Sequence, residues 1–174
     1  VITSAFSETG EEGARLEKEL SELARASGMR LVGPNTMGIF SASANLTALM
    51  PPVRPRPGNV SIVSQSGNIG TQILAWGEKF SVSFSKYVSS GNEGDLRSED
   101  YLSFFGKDPE TKVILTYIEG LDDGRRFFET AKAITPFKPI VAFKGGRTVA
   151  GARAAKSHSG SMAGARGLSE AAFR

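Results

Sequence analysis

Apolar positions along this chain follow two periods. Over residues 11–26, Leu16, Leu20 and Leu23 recur at helical spacing and Gly28 follows as a stop, which predicts a helix. Short apolar stretches on either side, at 1–3 and 29–32, predict strands. From 41 to 58 the periodicity vanishes while Pro51, Pro52, Pro55 and Pro57 accumulate. Proline fixes φ and removes a donor, so this stretch is expected to be a linker at a domain boundary. Beyond it, apolar runs at 60–63, 84–88, 113–118 and 140–143 alternate with helix-length stretches at 69–79, 98–105 and 125–134. Strands separated by helices form right-handed βαβ units, so an α/β fold with a parallel sheet is predicted. Residues 168–174 carry the spacing of a further helix.

Composition narrows the possibilities. With 174 residues, 40% hydrophobic and 22% charged, the chain can bury a globular core and is not disordered. It has no cysteine and one histidine, which excludes a disulfide framework, a zinc–thiolate site, a catalytic thiol and a multi-histidine centre; no metal site is expected. No apolar run approaches the roughly 20 residues that span a bilayer, and the start at Val1 shows no signal-peptide pattern. A soluble, cytoplasmic protein without a membrane partner is expected. The absence of an initiator Met, and an end at Arg174 inside an apparent helix, are expected of a piece of a longer chain.

The net charge of +3 is unevenly placed. Residues 1–143 carry 15 basic and 17 acidic side chains, whereas 144–174 carry six basic and one acidic. A basic tail is either a solvated face or a contact for something negative. No aromatic side chains are interleaved with Lys144, Arg147, Arg153 and Lys156, which disfavours nucleic acid and favours a small phosphate or an acidic partner.

Ligands of parallel sheets gather at the carboxyl ends of the strands, and there this chain places chemistry. The first run ends in Ser64-Gln65-Ser66-Gly67-Asn68 and leads straight into a helix. Hydroxyls, a glycine and the free N–H groups of a helix N-terminus make an anion site; an ordinary turn capped by Ser66 is the plain alternative. It is neither a Walker A loop nor a complete nucleophile elbow. The second run ends in Ser89-Ser90-Gly91-Asn92, which suits a ligand or any tight turn. The third ends in Tyr117-Ile118-Glu119-Gly120, where a carboxylate on a buried strand end needs a partner. The fourth ends in Lys144-Gly145-Gly146-Arg147 and leads to Lys156-Ser157-His158-Ser159-Gly160. There the one histidine stands among small residues, a setting for an accessible nucleophile rather than for a packed core side chain.

Taken in order, Gly33-Pro34-Asn35-Thr36-Met37-Gly38, Ser64-Gln65-Ser66-Gly67, Ser90-Gly91-Asn92, Tyr117-Ile118-Glu119-Gly120 and Ser157-His158-Ser159-Gly160-Ser161-Met162-Ala163-Gly164 resemble motifs of the NDP-forming acyl-CoA synthetases, the family that includes the succinyl-CoA synthetase α subunit. The resemblance runs over essentially the whole chain. It implies that residues 1–40 are the tail of a Rossmann-like CoA-binding domain, 41–58 a linker, and 59–174 a truncated flavodoxin-like domain with helices on both faces of a parallel sheet. It implies that His158 carries the phosphoryl group, that Glu119 orients it, and that Ser66, Gly67 and Asn68 hold phosphate. Asn35, Gly91, Asn92 and Ser4 fall to substrate and CoA binding. CoA, phosphate and an ADP/ATP pair follow, with Mg bound by an ATP-grasp domain or β subunit outside this chain, in a possible homo- or hetero-oligomer. Ser159 and Ser161 stand where many relatives have Thr and Ala. The CoA-binding glycine loop and the nucleotide-binding region are missing, so this chain alone is expected to be inactive.

Two other readings stand beside this one. A non-catalytic acyl-CoA-sensing module of a protein acetyltransferase often lacks the histidine, which this chain keeps. A serine hydrolase would use Ser66 with His158 and an acid such as Asp95.

Overall fold

The computed structural model describes residues 1–146; His158 and the helix expected over 168–174 lie outside the described residues. After a short 3-10 turn, helix α1 (Glu11–Ala26) forms over the predicted span, and a hairpin of β1 (Gly38–Ser41) and β2 (Leu46–Leu49) follows. The chain then alternates: β3 (Pro57–Ser64), α2 (Gly67–Lys79), β4 (Phe84–Ser89), α3 (Ser98–Lys107), β5 (Val113–Ile118), α4 (Gly124–Ile134) and β6 (Ile140–Lys144). All strands join one sheet in the order β2-β1-β4-β3-β5-β6. The four predicted runs are parallel to one another, as the βαβ pattern requires.

Alternate side chains of a strand point to opposite faces, and the apolar runs supply both. Ile62 packs with Leu74 of α2 and with Phe84 and Tyr87 on one face. Val63 packs with Tyr101, Leu102 and Phe105 of α3, with Phe127 of α4, and with Ile114 and Ile118 on the other. Helices therefore cover both faces. Each fully buried aliphatic or aromatic side chain contributes about 2 kcal/mol by leaving water, so these two layers account for most of the driving force.

Three expectations are corrected. Residues 41–58 are not a plain linker: they hold the end of β1, all of β2 and the start of β3, and β1 pairs antiparallel with β4 through Ile39↔Val88 and Phe40↔Tyr87. The hairpin strands are four residues long and β2 is largely exposed, so no period of two could emerge. Pro57 is tolerated because it is the first residue of its strand. Residues 1–3 and 29–32 form no ladder. They bond instead as single extended contacts, from the Val1 α-amino group to Val32 O at 2.8 Å and from Asn35 N to Thr3 O at 3.1 Å. On α1 the buried residues are Gly13, Ser21 and Ala24, while Leu16 and Leu23 of the predicted stripe are exposed.

Candidate functional site

The turn from β3 into α2 is built by short-range bonding. Ser64 Oγ donates to Ser66 O at 2.6 Å, which closes the turn, and the Ser66 side chain accepts from Ile69 N at 3.4 Å as the helix cap. The cap leaves the amides of Gly67 and Asn68 without an acceptor among the described residues, and the first turn of α2 carries no acidic side chain. Two open N–H groups at the positive end of a 13-residue helix make a place for an anion. Gly67 lies against Met37 and Ser89, so the hairpin supports the loop from the side.

Glu119 stands one strand away, just past β5, and is 6% exposed. No hydrogen bond from a described residue reaches its carboxylate. Its charge is felt nearby: burial first, and the Glu119 carboxylate second, push the Tyr117 phenol above its ordinary value. Burial pushes the Lys144 ammonium below its ordinary value, against the opposing pull of Glu119. A residue that sequence reading passed over joins the parts. Gln65 Oε1 accepts from Glu119 N at 2.6 Å and Gly120 N at 3.0 Å, and its Nε2 donates to Gly120 O at 2.8 Å. From β6, Lys144 Nζ donates to Glu119 O at 2.6 Å. The signal was present in the motif: a long amide placed immediately before a helix cap can reach the neighbouring strand end.

Asn35, Gly91 and Asn92 form a second group at the same edge of the sheet. Asn35 Nδ2 donates to Asn92 Oδ1 at 3.2 Å, and Asn92 N to Pro34 O at 3.0 Å. The Asn92 amide nitrogen reaches Ser7 Oγ, Glu8 Oε2 and Glu17 Oε2, so its donors are spent on the first forty residues. The groups meet where Ser64 and Ser89 stand side by side and Ser90 N donates to Ser64 O at 2.9 Å. Ser4 joins neither; it is exposed and, among the described residues, engages only through its carbonyl. Asp95 is bonded away from Ser66, to Arg25, Arg30 and the Leu31 amide. Although burial opposes its charge, the Leu31 amide with Arg30 and Arg25 holds its carboxyl below the ordinary value, and these bonds tie the end of α1 to the sheet.

Glu93, also unread in the sequence, accepts from Ser90 Oγ at 2.7 Å and Ser98 Oγ at 2.6 Å. Burial raises its pKa, and the serine hydroxyls and the Gln65 side chain only partly offset this. A carboxyl whose folded pKa lies above its unfolded one stabilises fully below the unfolded value and loses that contribution as pH rises through the folded one. Glu93→Gln is therefore expected to gain stability over the parent as pH rises from about 4.5 toward neutral. Urea denaturation across that range checks this; a difference independent of pH contradicts the buried placement.

The geometry has relatives. The profile described as "Succinyl-CoA ligase like flavodoxin domain" matches residues 57–174. The chain belongs to the NDP-forming acyl-CoA synthetase family. Within that family it is 48% identical, over its full length, to "Acetate--CoA ligase [ADP-forming] II subunit alpha" of Pyrococcus furiosus, of which it spans 38%. It is 34% identical over 168 residues to "4-hydroxybutyrate--CoA ligase [ADP-forming]" of Nitrosopumilus maritimus, spanning 24% of that protein. Among solved structures, the dinucleotide forming acetyl-coenzyme A synthetase 1 of Ca. Korarchaeum cryptofilum, in complex with phosphate and ADP, superposes with a TM-score of 0.93 at 44% identity. That match covers 99% of this chain and 37% of the other. The fold is thus the flavodoxin-like one of this family. Among the described residues, no helix is long and apolar enough to cross a membrane.

Proposed function

We propose that this chain is part of the α portion of an NDP-forming acyl-CoA synthetase, which interconverts acyl-CoA, phosphate and a nucleoside diphosphate with acid, CoA and the triphosphate. The observation that carries the reading is the pairing of an open helix N-terminus at Ser66, Gly67 and Asn68 with a buried carboxylate at Glu119 that no described residue hydrogen-bonds, held together through Gln65 at adjacent strand ends. In the proposed sequence, a phosphate oxygen attacks the thioester carbonyl, the C–S bond breaks, and CoA leaves as acyl phosphate forms. His158 then attacks phosphorus, the carboxylate departs, and the phosphoryl group passes to the terminal oxygen of the diphosphate. Neutral imidazole suits this carrier role near pH 7. Glu119 would accept the N–H of the other ring nitrogen, which fixes the tautomer and offsets the positive charge that develops. The helix N-terminus would hold the phosphate oxygens as charge builds on them.

CoA is placed against Asn35, Gly91, Asn92 and Ser4, with residues 1–40 as the tail of a CoA-binding domain and 59–174 as the domain that carries the histidine. The exposed Leu16 and Leu23 of α1 are the face that more of such a domain would cover. ADP/ATP with Mg belongs to an ATP-grasp domain or β subunit, and the setting is cytoplasmic. The relatives named above are acid–CoA ligases, and neither the acetyltransferase module nor the hydrolase reading gains support from them. Incubating the intact protein with ATP labelled at its γ-phosphate is expected to give an acid-labile, base-stable phosphoprotein. A fluorophosphonate probe that labels Ser66, with no such phosphoprotein, would instead favour the hydrolase.

A further inference from the structure

Every polar atom of the Gln65 side chain is used on the neighbouring strand-end loop. Its Oε1 takes the amides of Glu119 and Gly120, and its Nε2 gives a proton to the Gly120 carbonyl. Lys144 holds the same peptide from the opposite side, through the Glu119 carbonyl. Gln65 makes three bonds to backbone here and Lys144 two, the second to Gly145 O. None falls on the Glu119 carboxylate. With no bond from a described group to steer it, that carboxylate is aimed by its own backbone, and the backbone is aimed by Gln65. Holding the strands together does not require such a clamp, because β3 and β5 are already paired from Val60↔Val113 through Ser64↔Tyr117. The Gln65 amide begins its work where that ladder ends. It also sits immediately before the Ser66 cap, so one residue is rigidly attached to the anion loop and bonded to the loop that carries the carboxylate.

We infer that Gln65 is a positioning residue that fixes Glu119 relative to the Ser66–Asn68 loop and thereby sets the rate of phosphoryl transfer, acting through the Glu119–Gly120 peptides. The inference rests on the proposed function. Removing the clamp shifts the carboxylate by a fraction of its own length, and displacements near 1 Å cost as much as about a hundredfold in rate.

The test uses the full-length protein and labelled ATP, following both the rate and the final extent of labelling. Gln65→Leu keeps the bulk and removes the three bonds to the Glu119–Gly120 loop together with the side-chain contact to Glu93. Gln65→Glu keeps an acceptor for the two amides and sets an oxygen against the Gly120 carbonyl. Both are expected to reach the parent's final label per chain, with the rate lowered about tenfold to a hundredfold in Gln65→Leu and less in Gln65→Glu, and with KM for the nucleotide unchanged. A merely structural role would lower the extent, through loss of folded protein, and leave the rate of the remainder alone. Parental rates in either folded variant overturn the inference. Should Gln65→Leu fail to fold, Gln65→Glu decides alone. An unlabelled parent protein would overturn the proposed function instead, so the two failures are distinguishable.

Discussion

Exchanging His158 for alanine is expected to remove all acid-labile phosphoryl label from the intact protein, and exchanging Glu119 for glutamine is expected to slow its appearance by about a hundredfold or more. The second result is the more informative, because glutamine keeps the shape of the side chain and takes away only its charge and one acceptor oxygen. Glu119 is buried, yet no described group hydrogen-bonds its carboxylate, so the substitution breaks no hydrogen bond to a described residue. Its backbone bonds to Gln65 and Lys144 are untouched. Thermal stability is therefore expected to hold or rise, since a buried charge is replaced by a neutral amide. Tyr117 provides an internal check. Part of the upward push on its phenol comes from the Glu119 charge, so in Glu119→Gln it should titrate at lower pH than in the parent. Equal labelling rates in parent and variant, with that Tyr117 shift present, would remove Glu119 from the chemistry while leaving its placement correct. Label surviving in His158→Ala would identify a different carrier.

Gly91→Ala is expected to destabilise the protein by about 3 kcal/mol. Two costs combine. Gly91 has φ +61°, a region that costs an L-residue about 1 kcal/mol. A Cβ there would also run into Pro34 O and stand 2.7 Å from Asn35 O. These are backbone carbonyls, which cannot swing aside as a side-chain tip can. The bonds beside them, Asn92 N to Pro34 O and Gly94 N to Gly33 O, would be pushed apart. Gly28→Ala is the control: it has φ +69° and nothing within 4 Å of the new methyl, so only the conformational cost applies. Urea denaturation of the two variants isolates the clash by difference. Equal losses would show that the 33–35 turn yields, and that the seam between the first forty residues and the sheet is soft. The same seam bears on the proposal that Gly91 and Asn92 contact CoA, because Asn92 already spends its donors on Ser7, Glu8 and Glu17. Any CoA contact there would draw on the backbone of the turn or on Asn35 before it drew on the Asn92 amide.

How far the fold could be read from the chain depended on range. Helix α1 and the three later helices lay close to their predicted spans because helical spacing, stops and caps are local. The four parallel strands were legible because clustered apolar residues such as Val60, Ile62 and Val63 suit burial on both faces of a sheet. The β1–β2 hairpin was not. Four-residue strands with an exposed side leave no pattern, and what makes them strands is β4 lying alongside. The strand expected at 29–32 failed for the complementary reason: its apolar character was real, but Leu31 met the Asp95 carboxylate and the Leu96 amide rather than a ladder.

The candidate site divides in the same way. Sequence by itself determined the cap and helix start at Ser66, the presence of a carboxylate at the end of the third run, and the family to which these motifs belong, because each is a property of contiguous residues. Only the tertiary structure decided that Ser66 and Glu119 stand at neighbouring strand ends, that Gln65 and Lys144 grip one peptide between them, and that Asp95 serves two arginines instead of a serine. Those facts rest on contacts between residues 25 to 70 positions apart. The order of strands in a sheet creates them, and no local pattern of side chains encodes that order.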